Sequence, residues 1–184
     1  MVRIATLVGS LREGSINRKL AHATAALADD LMEMTFVDIG ALPHYNEDLW
    51  RDPPEAVLKM KQQVKDADGV LFVTPEYNRN VPGVLCNALD WGSRPVGESS
   101  WQGKPAAVLS ASPGAIGGAV AAQHMRARAV ALGMHVLSHP EVYLSVPEGF
   151  FTGDGVIAPE GARDFLRGWA EGFAAFTGKL AELP

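Results

Sequence analysis

Short apolar runs without alternation recur along this chain, and each is followed by apolar residues at helical spacing. Arg3-Ile4-Ala5-Thr6-Leu7-Val8 precedes Leu20, Ala23, Leu27 and Leu31; Val70-Leu71-Phe72-Val73 precedes a second such stretch. Runs of this kind read as strands buried on both faces, and their alternation with helices reads as a parallel sheet covered on both sides. The pattern predicts strands at Arg3–Val8, Met34–Ile39, Gly69–Thr74, Ala106–Ser110 and Met134–Leu137, with Val142–Leu144 extending the edge. It predicts helices over Ser15–Ala28, Glu55–Asp66, Gly83–Trp91, Gly118–Leu132 and Pro159–Leu180. Val57, Met60, Lys61 and Val64 share one side of the second helix, where the Lys61 stem is expected to snorkel. Phe165, Trp169, Phe173 and Phe176 form the expected core stripe of the last. Residues 40–54 read as irregular. The expected architecture is α/β: a three-layer, doubly wound fold with a five-stranded parallel sheet, in one domain over residues 1–184.

Ligands of doubly wound sheets sit beyond the carboxyl ends of the strands, where strand order reverses. Three loops on that edge are chemically distinctive. Gly9-Ser10-Leu11-Arg12-Glu13-Gly14-Ser15-Ile16-Asn17-Arg18 leads from the first strand into the first helix, with Ser15 as the expected N-cap. A capping box would place Glu or Gln at position 18; Arg18 and Lys19 stand there, with Arg12 upstream. Cations oppose the helix dipole at its N-terminus, so a bound anion explains them, and the loop is read as a phosphate site. It lacks the Gly-Lys-Ser/Thr ending of a P-loop and the G-x-G-x-x-G dinucleotide pattern. The second loop, Thr74-Pro75-Glu76-Tyr77-Asn78-Arg79-Asn80-Val81-Pro82-Gly83, places an aromatic ring where turns usually carry small polar residues. The third, Ser110 to Gly118, is rich in glycine and hydroxyl groups. A flat heterocycle bearing a phosphate fits all three walls, and flavin mononucleotide (FMN) fits best.

Composition narrows the class. A net charge of −5 argues against a general nucleic-acid binder, which usually presents a basic face. No apolar stretch reaches the roughly 20 residues a membrane span needs. The only cysteine, Cys86, forbids an internal disulfide, and no secretory signal is visible, so a cytoplasmic protein is expected. The histidines show no metal-ligand spacing, and no metal is assigned. Cys86 reads as a small hydrophobe without an adjacent base.

Three motifs together resemble the NAD(P)H-dependent FMN reductase family, the flavodoxin-like group that includes quinone, azo-dye and chromate reductases. They are Gly9-Ser10-Leu11-Arg12 with Ser15 and Asn17; Thr74 to Asn78 through Pro82-Gly83 and Asn87-Ala88-Leu89-Asp90-Trp91; and Ser112-Pro113-Gly114 with Gly117-Gly118. The resemblance implies a flavodoxin-like fold and non-covalent FMN. It implies that Ser10, Arg12, Ser15 and Asn17 hold the phosphate. Pro75, Glu76, Tyr77 and Asn78 would lie along the flavin ring, with Ser112 and Gly114 on the facing wall. It also implies a homodimer or tetramer. Cys86 stands where the family often has Lys, and Arg79 where an aromatic or small residue is common.

The function expected on this basis is reductase chemistry carried by the flavin, with NADPH or NADH as donor and no side chain acting as acid or base. Expected acceptors are small molecules: quinones, free flavins, ferric complexes, azo compounds or chromate. Arg79 is a candidate contact for the nucleotide or the acceptor. The rival reading is a flavodoxin-like electron carrier that docks on protein partners without NAD(P)H turnover. Two further expectations concern surfaces and ligands. Leu49, Trp50, Val81, Pro82 and Trp91 are expected to form an exposed subunit interface. Changing Ser15 and Asn17 together to Ala is expected to weaken FMN but not riboflavin.

Overall fold

The computed structural model describes residues 1–181. The strands are β1 (Val2–Val8), β2 (Met32–Phe36), β3 (Gly69–Thr74), β4 (Pro105–Ser112), β5 (His135–Val136) and β6 (Val142–Ser145). The helices are α1 (Ile16–Leu27), α2 (Glu55–Asp66), α3 (Gly83–Gly92), α4 (Ala119–Ala131) and α5 (Glu160–Ala181). All the strand pairs are parallel, in the order β2-β1-β3-β4. β5 and β6 share the fifth position: β5 pairs with Pro105 and Ala106, and β6 with Leu109 to Ser112. Pro140, with no N–H to give a ladder, lies in the gap between them. The expected doubly wound fold is therefore present, with its outer strand in two pieces.

Successive side chains of each strand enter opposite layers. Ala5, Leu7, Val70 and Phe72 join Val57 and Met60 of α2, Leu85 and Trp91 of α3 and Met125 of α4. Ile4, Val8, Leu71 and Val73 join Leu20 of α1 and Trp169 and Phe173 of α5. Strand order turns back between β1 and β3, so the carboxyl ends of β1, β3 and β4 meet at the switch point.

Several expectations shift. β2 starts at Met32 rather than Met34, because its register with β1 runs from Val2↔Met32 to Thr6↔Phe36. Phe165 is 41% exposed, and Leu166 takes its place on the buried face of α5. The segment 40–54 is not irregular throughout. Residues Glu47–Arg51 form a short 3-10 helix capped by Asn46. Asn87 and Trp91 both donate to the Pro43 carbonyl, at 2.9 and 2.8 Å, and tie this segment to α3. The apolar interface expected around Trp50 and Trp91 is corrected. Trp91 is fully buried, Val81 and Pro82 are buried, and Trp50 packs edge-on against Trp91 at 5.3 Å. Trp91, Val81 and Pro82 are spent inside the fold, while Leu49 and Trp50 stay half-buried against it.

Lys61 does more than snorkel. It is 5% exposed, and its Nζ donates to the carbonyls of Gly92, at the end of α3, and of Arg94 and Glu98 in the chain beyond it. Burial holds its pKa below the usual lysine range, and nearby Lys65 pushes the same way against Glu98. The Trp50 ring lies 5.5 Å away. Lys61→Met keeps the apolar stem and removes the donor. We expect a loss of about 2 kcal/mol, from leaving buried carbonyls unpartnered, read as a lower urea midpoint at unchanged slope.

Candidate functional site

The loop that leaves β1 is fixed at both ends. The Gly9 N–H donates to the Val73 carbonyl at 2.8 Å, holding it beside the end of β3. At its far end the Ser15 hydroxyl accepts the Arg18 N–H at 3.1 Å, which is the expected N-cap. That leaves the N–H groups of Ile16 and Asn17 without partners among the described residues. The first turn of α1 has no acidic residue, and Arg12, Arg18 and Lys19 form no ion pairs among the described residues. Free N–H donors and uncompensated cations gather at one helix end, an arrangement that favours an anion.

Ser10, Arg12, Ile16 and Asn17 line a cleft of about 110 Å³ with Pro75, Glu76 and Tyr77 of the second loop and Ala111, Ser112 and Pro113 of the third. The three loops read from the sequence thus converge. Of the expected residues, Ser10, Arg12, Asn17, Pro75, Glu76, Tyr77 and Ser112 line the cleft, while Ser15, Asn78 and Gly114 stand outside it. Ile16, Ala111 and Pro113 line it too, and only their place inside the three loops marks them in the sequence. Sites that enclose a whole ligand run to roughly 300 Å³ or more. This cleft is instead the floor of an open site, with Tyr77 49% exposed beside it. The Tyr77 hydroxyl reaches across to the Ser10 Oγ at 3.4 Å.

Several polar side chains expected to meet a ligand are engaged by the protein itself. The Asn17 amide donates to the Ala111 carbonyl at 2.9 Å and accepts the Ala111 N–H at 3.0 Å. It joins α1 to the end of β4. The Glu76 carboxylate accepts the N–H groups of Val120 and Ala121, at 3.0 and 3.2 Å, where α4 begins. It also pairs with Arg79 at 2.9 Å. An acidic group at a helix N-terminus is favourably placed, so Glu76 ties the second loop to α4. The Ser112 hydroxyl accepts the Gly114 N–H at 3.1 Å and closes its own turn.

Residues 77–80 form a two-residue hairpin, with paired hydrogen bonds between Tyr77 and Asn80 of 3.1 and 3.0 Å. Asn78 and Arg79, at φ 52° and 59°, occupy its two left-handed positions. Such turns favour Asn-Gly, so a side chain at Arg79 stores strain of about 1 kcal/mol. The turn projects the Arg79 guanidinium into solvent, with its side chain 69% exposed.

The donor set fits FMN. Two free N–H groups, the Ser10 hydroxyl and the Arg12 guanidinium suit a phosphate, and the Pro75–Tyr77 and Ala111–Pro113 walls suit the edge of a flat ring. Among the described residues no group of His, Cys, Asp and Glu is arranged to hold a metal ion.

Residues 2–148 match the family model described as NADPH-dependent FMN reductase. A 2-hydroxy-1,4-benzoquinone reductase of Burkholderia sp is 47% identical over 175 residues, covering 95% of this chain and 96% of that protein. A quinone reductase of Pseudomonas putida is 46% identical over 94% of this chain and 93% of its own length. Among solved structures, FerB of Paracoccus denitrificans, a flavoenzyme NAD(P)H:(acceptor) oxidoreductase, superposes with a TM-score of 0.95 at 42% identity. That match covers 97% of this chain and 98% of FerB.

Proposed function

This chain belongs to the NADPH-dependent FMN reductase family, and from that premise we propose that it reduces quinones, holding FMN in the cleft beyond β1, β3 and β4. It is an oxidoreductase of the NAD(P)H-dependent FMN reductase and quinone reductase type, with FMN as cofactor. The choice of quinone follows the activities named for the Burkholderia and Pseudomonas relatives. Free flavins, ferric complexes, azo compounds and chromate are secondary acceptors, because an open site selects acceptors weakly. No helix among the described residues is long and apolar enough to cross a membrane. We place the protein in the cytoplasm, acting as one domain in a homodimer or tetramer.

When bound, FMN supplies the hydride chemistry between nicotinamide and acceptor. The chain's own residues bind and orient. The observation that carries the reading is the uncompensated N-terminus of α1. The free N–H groups of Ile16 and Asn17, with Ser10 and Arg12, grip the phosphate. Asn17 and Glu76 act at one remove, through the Ala111 backbone and the start of α4, and keep the two ring-facing loops in place. Ser15 acts as the cap that orients the same helix end. Asn78 and Gly114 shape the turns that border the ring, and Arg79 swings from Glu76 to meet the incoming nucleotide. No side chain is assigned a proton-transfer step.

With the phosphate held in this way, Arg12→Ala weakens FMN by about 10- to 100-fold, the worth of a hydrogen bond to a charged group. Riboflavin, which lacks the phosphate, keeps its affinity. Fluorescence titration of the purified protein with both flavins measures the difference. Equal losses for the two would put the phosphate elsewhere.

A further inference from the structure

A second cleft, about 420 Å³, lies apart from the one just described. It opens on the other side of the same loop, beyond the carboxyl ends of β1 and β2, where Leu11 and Arg18 face it. Its volume falls within the roughly 300–1,000 Å³ of small-molecule sites.

Four chemical features meet there. The His22 and Phe36 rings, both lining the cleft, stack with centroids 4.3 Å apart at 25° and form an aromatic wall. The Arg18 guanidinium has no ion pair or hydrogen-bond acceptor among the described residues. One Asp38 oxygen accepts the Gly40 N–H at 3.1 Å, and the other has no partner among the described residues. Thr6 borders the cleft and is fully buried, yet its hydroxyl finds no partner among the described residues. Buried polar groups are normally satisfied, so this hydroxyl is an unmet polar group just behind the cleft wall.

We propose that this cleft binds the adenylate group, a purine nucleoside 5′-phosphate. The aromatic wall takes the base, the free Asp38 oxygen accepts from the ribose hydroxyls, and Arg18 pairs with the phosphate. A purely aromatic acid would use Arg18 but meet repulsion at Asp38, whereas a ribose turns that carboxylate into an acceptor. The loop 9–18 separates this cleft from the proposed flavin site, so one dinucleotide pyrophosphate has an anion-binding wall between its two halves. The adenylate therefore has two natural sources: the donor NAD(P)H, or a flavin dinucleotide in place of FMN. Binding itself does not depend on the reductase reading, which bears only on these sources.

The test is equilibrium dialysis of AMP against the FMN-loaded protein. Saturable binding of one AMP per chain, with FMN retained, is expected. Asp38→Asn and Arg18→Gln should each weaken AMP about tenfold, as expected for a lost hydrogen bond to a charged group. Asp38→Asn should leave FMN affinity unchanged, and it should cost nothing further with the 2′,3′-dideoxy analogue of AMP. Competition by NADH, with none by reduced nicotinamide mononucleotide, assigns the adenylate to the donor. Displacement of AMP only when FAD replaces FMN assigns it to a flavin dinucleotide. Absence of saturable binding up to about 10 mM AMP, or an affinity indifferent to both variants, overturns the proposal. The same dialysis on the FMN-free chain should also show one AMP bound, so a failure to bind FMN would strike only at the function proposed above.

Discussion

Asn17→Ala lowers the stability of the ligand-free protein by about 3 kcal/mol, because two buried backbone groups lose their partner at once. Asn17 is 3% exposed, and its amide closes a two-point contact on the Ala111 carbonyl and N–H, 94 residues away. Alanine cannot reach either group, and Ala111 is itself only 1% exposed. A fall of this size is a large fraction of the 5–15 kcal/mol that holds an ordinary domain together. From the sequence alone such a change bears on the FMN phosphate; the geometry moves its main effect into the fold. Loss of FMN and riboflavin affinity together should follow, since the third loop loses its anchor. Ser15→Ala costs less, about 1 kcal/mol, as the loss of one N-cap. Urea melts of the apoprotein check both. A midpoint unchanged by Asn17→Ala would mean that Ala111 finds other partners.

Gly117→Ala is the second large effect. Gly117 has φ +60°, and an added Cβ would sit 2.7 Å from the backbone of Tyr143 and Leu144 in β6. The left-handed conformation costs a residue with a Cβ about 1–2 kcal/mol, and forcing atoms into a packed interior adds about 1–3 kcal/mol. The neighbour is backbone, so no rotamer change relieves the overlap. The Ser110 hydroxyl donates to the Gly117 carbonyl, and the Gly117 N–H donates to the Gly114 carbonyl, both at 3.0 Å. The displacement therefore enters the loop that carries Ser112 and Pro113. Thermal melting should show a drop of several degrees or more, with FMN weakened beyond what the stability loss explains. Gly83→Ala, where an added Cβ meets nothing within 4 Å, is the control and should neither lower the melting temperature nor weaken FMN.

The parts of the fold that are legible in the sequence are those where one local signal decides. The β3 run is apolar at nearly every position and bounded by Gly69 and Thr74, and α2 starts directly after Pro54. The bounds of β2 are not legible, because Val37 and Ile39 are buried just past its end, and apolarity does not distinguish a strand from extended chain that packs. The 3-10 helix over Glu47–Arg51 escapes sequence reasoning because no apolar period marks so short an element. The expected exposure of Trp91 fails for another reason: large rings near a loop look the same from sequence whether solvent or the chain covers them.

For the site, topology is legible and individual roles are not. Switch-point reasoning locates the three loops, which do converge on one cleft. Yet Ser15, Asn17 and Glu76 are drawn off by helix ends and by the β4 backbone. A polar residue near a site is visible in sequence; the orphan backbone group that claims it is visible only in three dimensions. The larger cleft is invisible in sequence for the same cause, since Thr6, Arg18, His22, Phe36 and Asp38 are spread over β1, α1 and β2 and the chain just beyond it.

If this protein passes electrons from a nicotinamide donor to a quinone through FMN, anaerobic stopped-flow mixing of the FMN-loaded protein with NADPH or NADH shows it most directly. The flavin's visible absorbance is expected to bleach in a single turnover, to bleach more slowly with deuterium at the transferred position, and to return on adding a benzoquinone. A protein that retains FMN, bleaches with dithionite and ignores both nicotinamides would be an electron carrier, and the reductase function would be contradicted.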